Sequence, residues 1–202
     1  MRANPAYVRR TVQGYAAAGF AGIMIEDQLA PKRCGHTGVK EVVERDEALG
    51  RVQAACDARD EGADILIMAR TDARTTHGLD EALWRMRAFA EIGVDILFIE
   101  APQNEAEMQT FCDALPGPKL ANMLEEGITP ILPPQRLDAM GYKIAAYPLT
   151  LLNCAVFAMR EALEDIKKGR TPEQRVDFAT LREIVGFGEY DRLLERYNFS
   201  DE

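Results

Sequence analysis

The sequence is poor in histidine, in tryptophan and in long apolar runs. Its 202 residues include two histidines and one tryptophan, which nearly excludes a metal site built from several histidines. No apolar stretch approaches the ~20 residues that a membrane-spanning helix needs, and the N-terminus has no apolar signal segment. We therefore expect no membrane partner, and the default compartment is the cytoplasm.

Positive charge is also scarce. The chain has 24 Lys and Arg against 33 Asp and Glu, which gives a net charge of −9. The sequence contains no basic run and no interleaving of basic with aromatic residues, so nucleic acid and anionic membrane surfaces are excluded as partners. The hydrophobic fraction of 47% and the charged fraction of 28% are those of an ordinary globular protein with one sizeable core.

Cysteine is present four times but never in a metal-binding arrangement. No CxxC pair occurs, and no spacing suggests a zinc site. Three of the cysteines, Cys56, Cys112 and Cys154, fall inside helical patterns, where a free thiol behaves as a small hydrophobe. Cys34 alone lies in a polar segment that is flanked by glycine, which makes it the candidate for chemistry.

A repeated unit organises most of the chain. Five times a helical pattern ends near a glycine and a short apolar run follows, and such runs suit parallel strands that are covered on both faces. The runs are 22–25, 64–69, 95–99, 119–121 and 143–146. Helices are predicted at 5–18, 41–59, 79–92, 104–115, 134–140 and 151–168, with terminal helices at 178–185 and 190–197. This alternation predicts a parallel α/β architecture with right-handed crossovers.

Each apolar run delivers a polar side chain at its carboxyl end. The five ends carry Glu26, Arg70, Glu100, Asn122 and Tyr147. In a (β/α) barrel such groups converge on the active site. A strand end can also be polar only because the chain exits to solvent, but five occurrences in five favour a functional site.

The first of these ends opens an unusual stretch from Glu26 to His36. It concentrates two carboxylates, two cations, a thiol and an imidazole in eleven residues. Pro31 and Gly35 prevent the stretch from continuing as a helix or strand. A loop of reactive groups after a buried strand is typical of an active site, although a solvated charged loop would have a similar composition.

Several motifs together resemble one enzyme superfamily. The phrases that carry the resemblance are Gly22-Ile-Met-Ile-Glu-Asp-Gln, Pro31-Lys-Arg-Cys-Gly-His, Ile67-Met-Ala-Arg-Thr-Asp-Ala, Phe98-Ile-Glu-Ala-Pro and Leu120-Ala-Asn-Met-Leu-Glu. They resemble the isocitrate lyase / phosphoenolpyruvate mutase superfamily over about residues 4–197. The resemblance implies a (β/α)8 TIM barrel that uses Mg²⁺, or Mn²⁺, and acts on small 2-hydroxy or 2-oxo carboxylic acids.

The resemblance also implies roles for individual residues. Cys34 would be the general acid that protonates the carbanion left by cleavage of a carbon–carbon bond. Lys32 and His36 would favour its thiolate, because positive neighbours lower a thiol pKa. Arg70 would clamp a substrate carboxylate and stabilise developing negative charge. Glu26 would belong to the water shell of the metal, and the remaining substrate contacts would come from the Gly35 backbone, Glu100 and Asn122.

Two departures from the family pattern shape the expectations. Five βα units are present instead of eight, so we expect a partial barrel over 1–172 that lacks the N-terminal units, followed by a helical extension over 173–202. The family swaps its last helices between subunits, which implies a homotetramer with an inter-subunit extension. Asn153 stands where methylisocitrate lyases have an arginine. The segments 122–125 and 127–130 are more similar to the dimethylmalate lyase, oxaloacetate hydrolase and carboxyphosphonoenolpyruvate mutase side of the superfamily.

The function expected from the resemblance is therefore a carbon–carbon bond lyase that cleaves a small 2-hydroxy or 2-oxo dicarboxylic acid, with the acid itself left open. A mutase or hydrolase acting on phosphonopyruvate or oxaloacetate is the first alternative, with Cys34 as a bystander. A catalytically silent product that lacks the metal-binding aspartates is the second.

Overall fold

The structure, a computed structural model, describes residues 4–31 and 41–197. The chain divides into two compact units, residues 1–150 and 151–202. The boundary predicted from the sequence, at residue 172, lies later in the chain. It stays a prediction, because packing within one copy does not test which segments belong to an inter-subunit extension.

The first unit alternates helices with short strands in the predicted order. Its elements are α1 (Pro5–Ala17), β1 (Gly22–Glu26), α2 (Arg45–Asp60), β2 (Leu66–Thr71), α3 (Ala73–His77), α4 (Leu79–Ile92), β3 (Ile96–Ile99), α5 (Glu105–Ala114), β4 (Leu120–Asn122), α6 (Pro134–Met140) and β5 (Ile144–Ala146).

The strand pairs among the described residues of this unit are parallel and follow the chain order. Strands β1, β2 and β3 form one sheet, and β4 pairs with β5. An isolated parallel bridge between Leu97 and Lys119 connects β3 to β4. Five successive parallel strands joined by helices are what a part of a (β/α) barrel contains, so the predicted fold class is confirmed.

Local sequence signals account for most helix boundaries. The side chain of Asn4 caps α1 by accepting a hydrogen bond from the Ala6 amide, and Pro5 occupies the first helical position, where its missing N–H costs nothing. Asn104 caps α5 in the same manner. Gly93 ends α4 with a φ of 98°, a left-handed conformation that favours glycine.

Two predicted helix starts are wrong. The last helix, expected from residue 190, begins at Phe187. The helix expected from residue 41 begins at Arg45, because residues 41–43 are extended and pair with residues 27–29. The pairing consists of an antiparallel bridge between Gln28 and Val42 and hydrogen bonds from Leu29 to Glu41 and from Val43 to Asp27. The short helix α3 was not predicted, and the strand expected at 64–69 lies two residues later.

The core of the first unit lies between the sheet and the helices that cover it. Its largest fully buried side chains are Phe89, Phe111, Ile67, Met86 and Met108. They come from α4, α5 and β2, which means that the helices pack their apolar faces on the strands. This packing fixes where the strands end, and therefore where the polar residues beyond them lie.

The second unit contains α7 (Thr150–Lys167), α8 (Phe178–Ile184) and α9 (Phe187–Tyr197). Asp177 caps α8 through its side chain, which accepts a hydrogen bond from the Thr180 amide. None of the described residues of these three helices is buried. Nor does any helix in the described ranges combine the length and the apolar character that crossing a membrane requires.

Candidate active site

Four of the predicted site residues meet at the carboxyl ends of neighbouring strands. Glu26 is the last residue of β1 and lies directly opposite Arg70 of β2 in the strand register. Glu100 follows β3, and Asn122 ends β4. Because the strands are parallel and neighbouring, these ends share one edge, and the side chains form a continuous row.

Arg70 is the centre of this row. Its Nε and Nη2 donate to the two carboxylate oxygens of Asp72 at 2.8 and 3.0 Å. Longer ion pairs, both at 3.6 Å, connect Nε to Glu26 and Nη2 to Glu100. Asn122 Nδ2 donates to Glu100 at 3.4 Å. One guanidinium therefore connects the ends of three strands.

Burial and charge act on Arg70 in opposite directions. Burial alone would lower the pKa of its guanidinium, but the hydrogen bond with Asp72 and the charges of Glu100, Asp72 and Glu26 outweigh burial and raise the pKa above its ordinary value. The guanidinium is therefore a permanent positive charge. It can hold a carboxylate at any pH at which the protein is folded.

The edge of the Arg70 guanidinium that faces away from Asp72 consists of Nη1 and Nη2. Asp72 occupies the Nε and Nη2 edge, and Nη1 makes no hydrogen bond within the described part of the chain. On the remaining edge, Nη2 faces Glu100 at 3.6 Å, and Nη1 can donate to a further carboxylate. Arg70 keeps 14% of its side chain exposed, so the residue is not fully closed off from solvent.

Below this row lies a buried network that the sequence did not reveal. Asp27, only 2% exposed, accepts hydrogen bonds from the Thr71 hydroxyl, the Asp72 amide at 2.9 Å and Arg85 Nη1 at 3.1 Å. Burial raises the pKa of the Asp27 carboxyl against these lowering contacts. Asp27 and Asp72 were visible as acidic residues at strand ends, whereas nothing in the pattern around Arg85 separates it from other helix residues.

The rest of the predicted catalytic set, Lys32, Cys34, Gly35 and His36, lies outside the described residues. The structure does describe both flanks of that segment. The hydrogen bond from the Leu29 amide to the Glu41 carbonyl is 2.9 Å long, and Val43 donates to Asp27 over 2.8 Å. Arg51 donates to the carbonyls of Glu26 and Gln28. The two ends of the segment therefore begin side by side, next to Glu26.

The described residues do not by themselves form a site for Mg²⁺. Magnesium prefers near-octahedral oxygen ligands, with one or two carboxylates and several waters. Glu26 and Glu100 supply suitable oxygens, yet both are turned toward Arg70, and no group of three His, Cys, Asp or Glu side chains within residues 4–31 and 41–197 converges on a common point. Glu26 alone fits at most an indirect role through water.

The strands are parallel, and their carboxyl ends carry a row of charged side chains. This arrangement is that of a protein of the (β/α)-barrel class with its site at that edge. The sequence model of the family described as "Phosphoenolpyruvate phosphomutase" matches residues 2–167. The chain belongs to this family, and the predicted superfamily is confirmed.

The chain is similar to curated enzymes of known name. It is 44% identical to a 2,3-dimethylmalate lyase of Eubacterium barkeri, over 95% of this chain and 64% of the relative. It is 41% identical to a probable 2-methylisocitrate lyase of Corynebacterium glutamicum, over 93% of this chain and 62% of the relative. The chain thus spans somewhat less than two thirds of the length of these relatives.

Solved structures give the same result. A crystal structure of 2,3-dimethylmalate lyase, described as a PEP mutase/isocitrate lyase superfamily member, matches 98% of this chain and 67% of that chain with a TM-score of 0.88 and 34% identity. A structure of oxaloacetate acetylhydrolase in complex with the inhibitor 3,3-difluorooxalacetate matches 99% of this chain and 69% of that chain, with a TM-score of 0.88 and 33% identity.

Proposed function

We propose that this chain carries the site of a carbon–carbon bond lyase that cleaves a small 2-hydroxy or 2-oxo dicarboxylic acid. The observation that carries the proposal is the Arg70 guanidinium, framed by Glu26, Glu100 and Asn122 at the carboxyl ends of four strands. A planar two-pronged donor in a partly buried site suits a carboxylate. The names of the two curated relatives, lyases of dimethylmalate and methylisocitrate, agree with this chemistry.

The proposed reaction on a 2-hydroxy acid is a retro-aldol-type cleavage. A base takes the hydroxyl proton, and C2 becomes a carbonyl carbon while the C2–C3 bond breaks. The electron pair of that bond passes to C3 and spreads into the adjacent carboxylate as an enediolate. Protonation at C3 then gives one 2-oxo acid and one saturated acid.

Each residue has one part in this scheme. Arg70 holds a substrate carboxylate and stabilises negative charge as it develops, which is how preorganised donors lower a barrier. Glu100 and Asn122 orient the substrate by hydrogen bonds. Cys34 would deliver the proton to C3, with Lys32 and His36 favouring its thiolate afterwards. Since the described residues form no Mg²⁺ site, no step is assigned to a metal, and Mg²⁺ or Mn²⁺ as cofactor stays a prediction.

The test is turnover of 2,3-dimethylmalate, followed by NMR as the appearance of pyruvate and propionate. Cys34→Ser should lower turnover by about two orders of magnitude or more, whereas Cys154→Ser, at an exposed position of α7, should leave it unchanged. Equal turnover of the two variants would remove Cys34 from the mechanism. Absence of cleavage of any 2-hydroxy dicarboxylate by the wild-type chain would contradict the lyase proposal.

A hydrolase acting on oxaloacetate is the second candidate. It is favoured by the likeness to oxaloacetate acetylhydrolase, whose TM-score of 0.88 equals that of the lyase structure. The same assay separates the two, because hydrolysis of oxaloacetate consumes water and releases oxalate and acetate. Formation of these two products without cleavage of the 2-hydroxy acid would replace the lyase proposal by the hydrolase.

We further propose that the second unit joins copies of this chain into a homo-oligomer, with a tetramer as the expected form. The packing of this unit on itself leaves large apolar side chains exposed, among them Leu151 at 82%, Phe178 at 75% and Ile184 at 67%. Exposed apolar surface of this extent marks an interaction site. A second copy is the occupant that the resemblance to a family with swapped terminal helices implies.

Light scattering coupled to gel filtration tests the assembly. The wild-type chain should elute at a multiple of its single-chain mass, and Phe178→Ser together with Ile184→Ser should shift it toward the monomer. Tyr7→Ser on α1, equally exposed at 68% but in the first unit, is the matched control. A monomeric wild type would contradict the proposal.

A further inference from the structure

We propose that Asp27 is a positioning residue that sets the orientation of the Arg70 guanidinium by way of Asp72. The inference deepens the proposed function, on which it rests for its catalytic consequence. Asp27 itself lies beneath the row of site residues and presents no oxygen to it, since its carboxylate is occupied by Thr71, the Asp72 amide and Arg85.

The connection from Asp27 to Arg70 has two short steps. First, Asp27 Oδ1 accepts the hydrogen bond of the Asp72 backbone amide at 2.9 Å, which fixes the chain where β2 ends. Second, the Asp72 carboxylate receives Nε and Nη2 of Arg70 at 2.8 and 3.0 Å. Because a bidentate pair is planar, the position of Asp72 determines which way the Nη1 and Nη2 edge of Arg70 points.

Asp27 also holds the neighbouring strand end in place. Its amide donates to the Arg70 carbonyl at 3.3 Å, and its carbonyl accepts from the Val43 amide. One residue therefore connects the carboxyl ends of β1 and β2 with the extended segment at 41–43. These are the elements that carry Glu26, Arg70 and the flank of the segment containing Cys34.

The charge of Asp27 is matched by one buried cation. Arg85 reaches Asp27 from α4, and the two side chains are 4% and 1% exposed. Arg85 also donates to the Val43 carbonyl at 2.9 Å and to Glu81 at 2.9 Å. Apolar residues of similar volume often stabilise a protein as well as a buried ion pair does. A gain in stability therefore does not account for the presence of this buried pair. The geometry that the pair imposes on the strand ends does account for it.

Hydrogen exchange at Arg70 tests the inference without reference to activity. The Arg70 Nε–H, bonded to Asp72, should give a protected NMR signal in the full wild-type chain. Asp27→Asn places an amide where Arg85 and Thr71 donate, which disturbs the hold on Asp72. Exchange should become about tenfold faster, the scale of one lost charge-assisted hydrogen bond. Glu81→Gln is the matched control, because it also neutralises a carboxylate partner of Arg85 but leaves Asp27 and Asp72 in contact.

Binding of oxalate, measured by calorimetry, supplies the functional half of the experiment. Asp27→Asn should weaken oxalate binding about tenfold when Arg70 is present. In an Arg70→Lys background the same change should weaken binding by less than about twofold, since contacts in one network are not additive. A structural defect would instead weaken binding equally in both backgrounds. If Asp27→Asn fails to fold, Asp27→Leu combined with Arg85→Met replaces the ion pair by apolar groups and takes its place in both measurements.

The outcomes separate the inference from the function that it serves. Unchanged Nε–H protection in Asp27→Asn, or equal weakening of oxalate in both backgrounds, would overturn the positioning role. Loss of protection together with a wild type that cleaves no dicarboxylic acid would uphold the positioning role and overturn the lyase proposal.

Discussion

Replacement of Arg70 by methionine should destabilise the protein far more than replacement of an exposed cation. The variant removes two hydrogen bonds to Asp72, whose side chain is fully buried, and two longer ion pairs to Glu26 and Glu100. Removing one partner of a buried ion pair costs about 3–5 kcal/mol. We expect about 3 kcal/mol, the lower end, because 14% of the Arg70 side chain reaches solvent.

Chemical unfolding in urea, followed by circular dichroism, measures this difference. A loss of about 3 kcal/mol should also lower the melting temperature by roughly 6–12 °C in a chain of this size. The matched control is Lys143→Met. The pair of Lys143 with Asp138 has a distance of 2.7 Å, but its side chains are 60% and 71% exposed, and such pairs contribute about 0–1 kcal/mol. If Arg70→Met costs no more than this control, Arg70 is not part of a buried network and the description of the site is wrong.

A second variant separates the lost pair from the lost packing. Asp72→Leu in the Arg70→Met background removes the carboxylate that the first change leaves buried. Since the penalty comes mainly from a buried charge that has lost its partner, the double variant should recover part of the loss. The two residues act independently if Asp72→Leu costs as much stability in the Arg70→Met background as it costs alone.

Two other predictions concern stability. Hydrogen bonds from Arg45 and Arg85 lower the pKa of Glu81 to about 2 from an ordinary 4.5. The contribution of Glu81 to the free energy of unfolding is therefore fully present above pH 4.5 and is lost as pH falls toward 2. Glu81→Gln should flatten the fall in melting temperature between these pH values, and an acid profile parallel to that of the wild type would contradict the pairing. Gly93→Ala, at a φ of 98°, should destabilise the protein by about 1–2 kcal/mol. Gly14→Ala, inside α1, should stabilise it by about 0.5–1 kcal/mol. Changes of the same sign in the two unfolding free energies would refute this prediction.

The sequence was sufficient for the order and type of the described elements except the short helix α3. Helices at 79–92 and 134–140 and a first helix beginning at Pro5 were predicted as observed, because their caps and glycines are local signals. The start of α2 was not predictable in this way. Residues 41–43 are extended only because the strand end at 27–29 is there to pair with them, and that contact joins two segments that the pattern treats separately.

The same distinction applies to the site. Glu26, Arg70, Glu100 and Asn122 were found because parallel strands bring their carboxyl ends to one edge, which makes a one-dimensional pattern sufficient. Arg85 could not be found in this manner, since its role depends on the direction in which α4 crosses the strand ends, where its side chain meets Asp27. The positions of Lys32, Cys34, Gly35 and His36 lie outside the described residues, and their roles stay predictions.

A dicarboxylate substrate would need more positive charge than Arg70 supplies. One edge of a guanidinium can pair with one substrate carboxylate in bidentate geometry, so a second carboxylate calls for a second positive charge. The sequence between the paired flanks 27–29 and 41–43 contains Lys32 and Arg33, and a divalent metal ion is the other source of such charge. Neutralising Lys32 should then weaken binding of dicarboxylates more than binding of monocarboxylates, and increasing amounts of Mg²⁺ should reduce that difference if the ion supplies the same charge.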